Sequence, residues 1–336
     1  MTDSAGEVVS FGEAMVRLTP PGNERLERTT SLNLTVGGAE LNSAVTLACL
    51  EVPATWVSRL PDTPFGRAIA RGGRAAGVNL SHVQWVPESA GRAGVYYLEE
   101  ASDPRPSAVY YDRAGSAFAR MAPGTFDWPR ILDGARALHI SGITPAVGPG
   151  PRAETMAAIR AANAARVPIA FDLNFRSKLW SESEARACFA EVVPLVDILF
   201  TSRGGLRTFF NLDGDHADVL DAARTRLGLA VTILSRKKGK ASRSVRLGSI
   251  AMGQDGQVVE GPWRAVEVVD RLGGGDAFAG GFLAGYVADH NDLPRALALA
   301  SAAQALKHTM PGDFLCATRD EIEAATESDE GGVLQR

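Results

Sequence analysis

The sequence predicts an α/β fold built on a mainly parallel sheet with helices on both faces. Three observations lead there. Short apolar runs at 8–11, 167–171, 196–200 and 230–234 read as buried strands. Helical stretches at 154–165, 182–193 and 216–227 separate them. Strand and helix therefore alternate regularly, and the helices that connect parallel strands must cover the faces of the sheet. In such sheets ligands sit beyond the carboxyl ends of the strands, so polar residues just after a strand are the first candidates for function.

Taken in order, Val8-Val9-Ser10-Phe11 opens the sheet. Residues 15–36 alternate loosely around the turn signal Pro20-Pro21-Gly22-Asn23, which predicts an excursion of strands. Gly37-Gly38 then opens a helix over 39–50. Trp56-Val57-Ser58 reads as a strand and 66–76 as a helix. Gly94-Val95-Tyr96-Tyr97-Leu98 and Ala108-Val109-Tyr110-Tyr111 form a hairpin around Asp103-Pro104-Arg105-Pro106, and this hairpin holds four of the five tyrosines. Paired with 15–36, it predicts a small sheet outside the main one. Residues 136–142 are a short strand ending in a turn. Further strands fall in 249–252 and 258–263, and the last third is helical over 276–290 and 293–308.

Composition narrows the function. Of 336 residues, 45% are apolar and 22% charged, which excludes disorder as the main state. The net charge of −4 argues against a nucleic-acid binder. Residues 1–10 lack the basic and apolar regions of a secretory signal, and no run approaches the length of a membrane span. Cys49, Cys188 and Cys316 form no metal or redox spacing. These features read as a cytoplasmic protein with reduced thiols. The basic stretch Arg236, Lys237, Lys238, Lys240, Arg243 and Arg246 reads first as a solvated loop, with attraction of a nucleotide's phosphates or of nucleic acid as the alternatives.

Three segments carry chemistry. The sharpest is Asp270-Arg271-Leu272-Gly273-Gly274-Gly275-Asp276, which leads straight into a helix. Glycines let a backbone approach a ligand, and a helix N-terminus attracts phosphate oxygens. A carboxylate there can take the proton of an attacking hydroxyl. The alternative for Asp276 is a plain N-cap. The second is Gly37-Gly38-Ala39-Glu40-Leu41-Asn42, where Glu40 and Asn42 stand at a helix start and either bind a hydroxyl-rich ligand or cap the helix. The third is Asp172-Leu173-Asn174-Phe175-Arg176, whose Arg176 either grips a carboxylate or makes a structural ion pair. No P-loop, dinucleotide fingerprint or nucleophile elbow is present.

These residues resemble the ribokinase (PfkB) family of carbohydrate kinases, and the resemblance runs from Val8 to about Ile322. Gly37-Gly38 and the 270–276 turn with its Ala-Phe-Ala-Gly-Gly-Phe helix carry it. Within the family, Gly-Gly-Ala-Glu at 37–40, Tyr-Asp-Arg-Ala at 111–114, Asp-x-Asn-x-Arg at 172–176 and Lys-His-Thr-Met-Pro-Gly-Asp at 307–313 are similar to 2-keto-3-deoxygluconate kinases. The resemblance implies a three-layer ribokinase-like domain over 1–325, with a small β-sheet lid from segments about 13–36 and 92–117, and a frayed tail at 326–336. It implies ATP-dependent phosphorylation of 2-keto-3-deoxygluconate at its terminal hydroxyl, with Mg2+ as cofactor and a small acid sugar as partner. Asp276 resembles the catalytic base, and Gly273, Gly274 and Gly275 the anion hole. Gly38, Tyr96, Tyr111, Arg113, Arg176 and Asp313 fall where the acid sugar is held, and Ser235 and Ser301 near the nucleotide. A homo-oligomer through the lid stays open. So do two other readings: a fructokinase or ribokinase, and a degenerate fold that binds sugar without phosphoryl transfer.

Two departures stand out. Where the family has an Asn-x-x-Glu-like stretch that organises magnesium, this chain has Thr201-Ser202-Arg203-Gly204-Gly205, with no carboxylate at Gly205. The metal ligands are therefore left unassigned. Gly274 replaces a frequent Ala, which predicts a freer loop.

Overall fold

A computed structural model describes residues 6–102, 104–239 and 244–327. Along them run β1 (Val8–Phe11), β2 (Met15–Thr19), β3 (Asn33–Gly37), β4 (Ala54–Pro61), β5 (Val83–Val86), β6 (Val95–Glu99) and β7 (Ala108–Asp112). There follow β8 (Ala137–Ser141), β9 (Ile169–Asp172), β10 (Ile198–Thr201), β11 (Val231–Lys238), β12 (Ser244–Met252), β13 (Val258–Glu260) and β14 (Arg264–Glu267). The large sheet has the order β13-β12-β11-β10-β9-β8-β1-β4-β5, with β14 beside β12. Every neighbouring pair from β11 to β5 is parallel, whereas β12, β13 and β14 close one edge in antiparallel fashion.

The central strands are apolar on both faces because both faces are covered. Val8, Ala170, Ile198 and Phe200 point into one core, and Val9, Phe171 and Leu199 into the other. Helices Ala39–Cys49, Pro64–Ala75, Gly274–Ala288 and Leu293–His308 pack against the first core. Helices Pro149–Ala165, Glu182–Val192, Arg203–Phe210 and His216–Leu227 pack against the second. The result is three layers. The helix Gly274–Ala288 is buried nearly all round, so it sits between helix Ala39–Cys49 and helix Leu293–His308 rather than on the surface. A side chain at Gly280 would run into the Ser43 carbonyl and Thr46, so only glycine allows this close approach. Each fully buried Leu or Phe in such a layer contributes about 1.5–3 kcal/mol.

The two strand-rich patches do pair into a small separate sheet, in the order β3-β2-β6-β7. Its centre is the parallel pair β2 and β6, with an antiparallel neighbour on each side. Asp103 lies outside the described residues.

Several expectations need correction. Arg236, Lys237 and Lys238 belong to β11 and Arg246 to β12, so the basic stretch is a strand pair and not a loop. Arg236 pairs with Glu260 at 3.0 Å, and Arg236 and Lys238 lie over the Trp263 ring at 4.9 and 4.4 Å. Lys240 and Arg243 lie outside the described residues. Helix Arg319–Glu327 runs two residues into the stretch expected to fray, and 328–336 is outside the described residues. Helix Arg203–Phe210 is unannounced in the sequence because Gly204 and Gly205 mask it.

Candidate active site

The 270–276 turn is built as a helix start without a side-chain cap. Gly273 occupies the N-cap position at φ +80°, and no side chain accepts from the first-turn N–H groups. A β-carbon at Gly273 would strike the Asp313 carbonyl, so glycine is required both by conformation and by space. The first-turn N–H groups have no intrahelical partner and point outward, and Gly275 is exposed. Gly274 is not the freer position expected of it. The His308 ring, held by a 2.7 Å hydrogen bond to the Gln304 carbonyl, fills the space where a β-carbon would stand.

Asp276 does not cap this helix. Its Oδ2 accepts a 2.6 Å hydrogen bond from Asn42 Nδ2. The Asn42 Oδ1 in turn accepts from the Gly38 N–H at 3.2 Å. Thus the two glycine-rich segments, far apart in sequence, meet through Asn42. Burial pushes the Asp276 carboxyl up to about 7, with the Asn42 hydrogen bond and Arg176 opposing and Asp172 and Asp313 adding to the rise. A carboxylate poised near neutrality is suited to accepting a proton at working pH. Burial likewise pushes Asp172 up to about 6.

Two cavities flank this helix start. The first lies under the lid and is lined by Gly38, Tyr96, Tyr111, Arg113, Arg176 and Asp313, together with Gly273 and Asp276. All six residues assigned to the sugar therefore converge on one space. Tyr96 and Tyr111 are cross-strand partners of β6 and β7, with ring centroids 6.0 Å apart. Arg113 donates from Nε to Glu13 Oε2 at 2.8 Å and is already neutralised. Asp313 is paired with Arg17 at 2.7 Å. The Arg176 guanidinium makes no hydrogen bond or ion pair among the described residues and stands exposed at the rim. It is the guanidinium here that is open to an anionic ligand.

The second cavity lies on the other side of the helix start. Asp172, Asn174, Glu182, Thr201, Ser202, Gly205, Ser235, Gly275 and Phe278 are among the residues that line it. Ser235 lines it; Ser301, buried at 4% exposure in helix Leu293–His308, does not, although Gln304 one turn along the same helix does. Ser202 caps helix Arg203–Phe210, its Oγ accepting from the Gly205 N–H at 3.1 Å. A side chain at Gly205 would run into the Thr201 hydroxyl. The 201–205 stretch therefore offers no carboxylate, and its two hydroxyls, of Thr201 and Ser202, both hydrogen-bond within the stretch.

Among the described residues no group of three or more His, Cys, Asp or Glu side chains is arranged to hold a metal ion alone. Mg2+ usually takes only one or two carboxylates and completes its shell with phosphate oxygens and water. Asp172 and Glu182 on the wall of the second cavity fit that demand.

Glu40 is structural. It is 1% exposed, accepts from the Ser141 N–H and Oγ at 2.9 and 2.7 Å and from Thr144 at 2.8 Å, and so ties helix Ala39–Cys49 to the end of β8. Sequence reasoning missed Glu13, Arg17 and Lys178. Glu13 and Arg17 sit in the early strand segment, where nothing local distinguishes a buried charge from an exposed one. Lys178 lies two residues beyond Arg176 and reaches the Val109 carbonyl of the lid at 2.7 Å. No helix of the described residues is long and apolar enough to cross a membrane.

Residues 5–327 match the model of the pfkB family carbohydrate kinases. A 2-dehydro-3-deoxygalactonokinase of Haloferax volcanii is 37% identical over 97% of this chain and 98% of its own. A 2-dehydro-3-deoxygluconokinase of Thermoproteus tenax is 30% identical over 91% of this chain and 89% of its own. The crystal structure of the 2-dehydro-3-deoxygluconokinase of Thermotoga maritima superposes with a TM-score of 0.91 at 33% identity, covering 96% of this chain and 98% of that one.

Proposed function

Because the chain belongs to the pfkB family of carbohydrate kinases, we propose that it transfers the γ-phosphoryl group of ATP to the terminal hydroxyl of a 2-keto-3-deoxy sugar acid. The gluconate epimer is our first choice, giving 2-keto-3-deoxy-6-phosphogluconate. One observation carries the reading: an uncapped helix start with a half-buried carboxylate stands between two cavities, and the cavity under the lid presents an arginine with no ion pair among the described residues.

In this reading the acid sugar lies beneath the lid with its carboxylate against Arg176. Tyr96, Tyr111 and the Gly38 backbone orient its hydroxyls. Asp276 accepts the proton of the terminal hydroxyl as that oxygen attacks the γ-phosphorus in line and ADP departs. The first-turn N–H groups of Gly274, Gly275 and Asp276 face the charge that develops on the transferring group. One such donor is worth about 3–4 kcal/mol in comparable anion holes. The nucleotide occupies the second cavity beside Ser235. Asp172 and Glu182 are the groups that would hold its magnesium, which neutralises phosphate charge when bound.

The test is ADP release with ATP, magnesium and four acceptors: 2-keto-3-deoxygluconate, its galactonate epimer, fructose and ribose. Turnover on either keto-deoxy acid and not on the neutral sugars is expected. The relative named for the galactonate substrate makes that epimer the second reading. Arg176→Ala should raise the KM for the acid by about 10- to 100-fold, the worth of one charge-assisted hydrogen-bonded contact. Turnover confined to fructose or ribose would overturn the substrate assignment. Binding of sugar and ATP without product would overturn the transfer itself.

A further inference from the structure

One charged side chain of the lid sheet has no part in the chemistry just described. Arg17 sits in β2 and is 3% exposed. Its guanidinium lies 2.7 Å from Asp313 Oδ1, 2.7 Å from Asp270 Oδ2 and 3.2 Å from Glu100 Oε1, and its Nε donates to Thr19 at 3.0 Å. In register across the lid it stands between Thr35 of β3 and Tyr96 of β6, and Tyr96 is opposite Tyr111 of β7. Arg17, Tyr96 and Tyr111 thus form one row across the small sheet. Two members of that row line the sugar cavity, and the third reaches behind it to a carboxylate that also lines it.

The acids it holds are not interchangeable. Asp313 lines the sugar cavity, and the backbone of Asp313 packs directly on Gly273. Asp270 begins the phosphate turn: its Oδ1 accepts from the Leu272 N–H at 3.0 Å and its Oδ2 from the Gly312 N–H at 2.9 Å. Asp270 therefore joins the turn at 270–276 to the segment that carries Asp313, and Arg17 clamps both from the lid. A planar fork offers each carboxylate an N–H donor in fixed geometry, which a compact ammonium does not reproduce.

We propose that Arg17 is a positioning residue for phosphoryl transfer, holding Asp313 toward the sugar and the entry of the 273–276 turn in place while the lid lies over the site. This rests on the kinase reading above. Burial raises the Asp313 carboxyl, so without its guanidinium partner the group loses its charge more readily, and a neutral Asp313 accepts sugar hydroxyls less well.

The test compares wild type with Arg17→Lys and Arg17→Met, measuring KM for the sugar acid, KM for ATP, kcat and Tm. The sugar KM should rise tenfold or more in Arg17→Met and less in Arg17→Lys, with the ATP KM within twofold of wild type. If Arg17→Met does not fold, Arg17→Lys decides alone, because it keeps the positive charge. A sugar KM unchanged in Arg17→Lys while Tm falls would show a purely structural ion pair and overturn the inference. A wild-type chain that phosphorylates no acid sugar would instead defeat the kinase reading on which it rests.

Discussion

The helices Gly274–Ala288 and Arg203–Phe210 both begin at the carboxyl edge of the large sheet and both border the second cavity, yet their first turns are built in opposite ways. The first has glycine at its N-cap, no side-chain acceptor and an exposed Gly275. The second has Ser202 at its N-cap, with its hydroxyl accepting from the Gly205 N–H. Both arrangements answer the same physical problem, the unpaired N–H groups of a first turn. A serine answers it within the chain and stabilises the fold. An open glycine turn leaves the donors for an anion from outside. Equivalent positions in one cavity wall thus separate into a start closed by its own chain and a start left open.

Four measurements break or sharpen this contrast. The largest effect is expected from Asp276→Asn, which removes the proton acceptor at the open start. Turnover should fall by about 10²- to 10⁴-fold while calorimetric sugar-acid binding persists. Near-normal turnover would move the base elsewhere. Gly273→Ala comes next. With φ at +80° and the Asp313 carbonyl where its β-carbon must go, kcat should drop at least tenfold and Tm should fall as well.

A smaller effect is expected on the pH profile. Asp276 must be ionised to accept a proton, so kcat/KM should rise with pH through a limb near 7. The Asn42 hydrogen bond favours the ionised form, so Asn42→Ala should move that limb to higher pH. A limb that moves down would contradict the assigned direction. The smallest effect belongs to the capped start. Ser202→Ala should cost about 1 kcal/mol in denaturant unfolding, the usual worth of an N-cap. No loss of stability would mean that this start is as open as the other.

Much of the fold is legible in the chain because both governing signals are local. Apolar runs of four or five residues mark β1, β9, β10 and β11, and the helices between them carry the crossovers. What is not legible follows from the same rule. β5, with Val83 and Val86 buried around exposed Gln84 and Trp85, is too short to show a period. The two glycines of Arg203–Phe210 contradict its helical state locally, and only packing of Leu206 and Phe209 on the second core overrides them.

The site divides in the same way. Asp276, Gly273 and Gly38 are legible because a glycine turn before a helix is a backbone device written in consecutive residues. Glu40 and Asn42 show the limit: two residues apart at one helix start, one is walled in by Ser141 and Thr144 and the other faces Asp276. Arg113 and Arg176 are alike as residues, yet Glu13 pairs directly with one and no carboxylate among the described residues forms an ion pair with the other.

By itself the sequence determined the three layers, the small second sheet and the glycine turn with its carboxylate, since each depends on neighbours along the chain. Only the tertiary structure decided which buried charges pair and which stay open, how Arg17 binds the lid to Asp270 and Asp313, and that Ser301 lies away from the cavity wall. Those outcomes depend on the field and the space created by residues distant in sequence, and a charge or hydroxyl carries no local mark of the partner that folding brings to it.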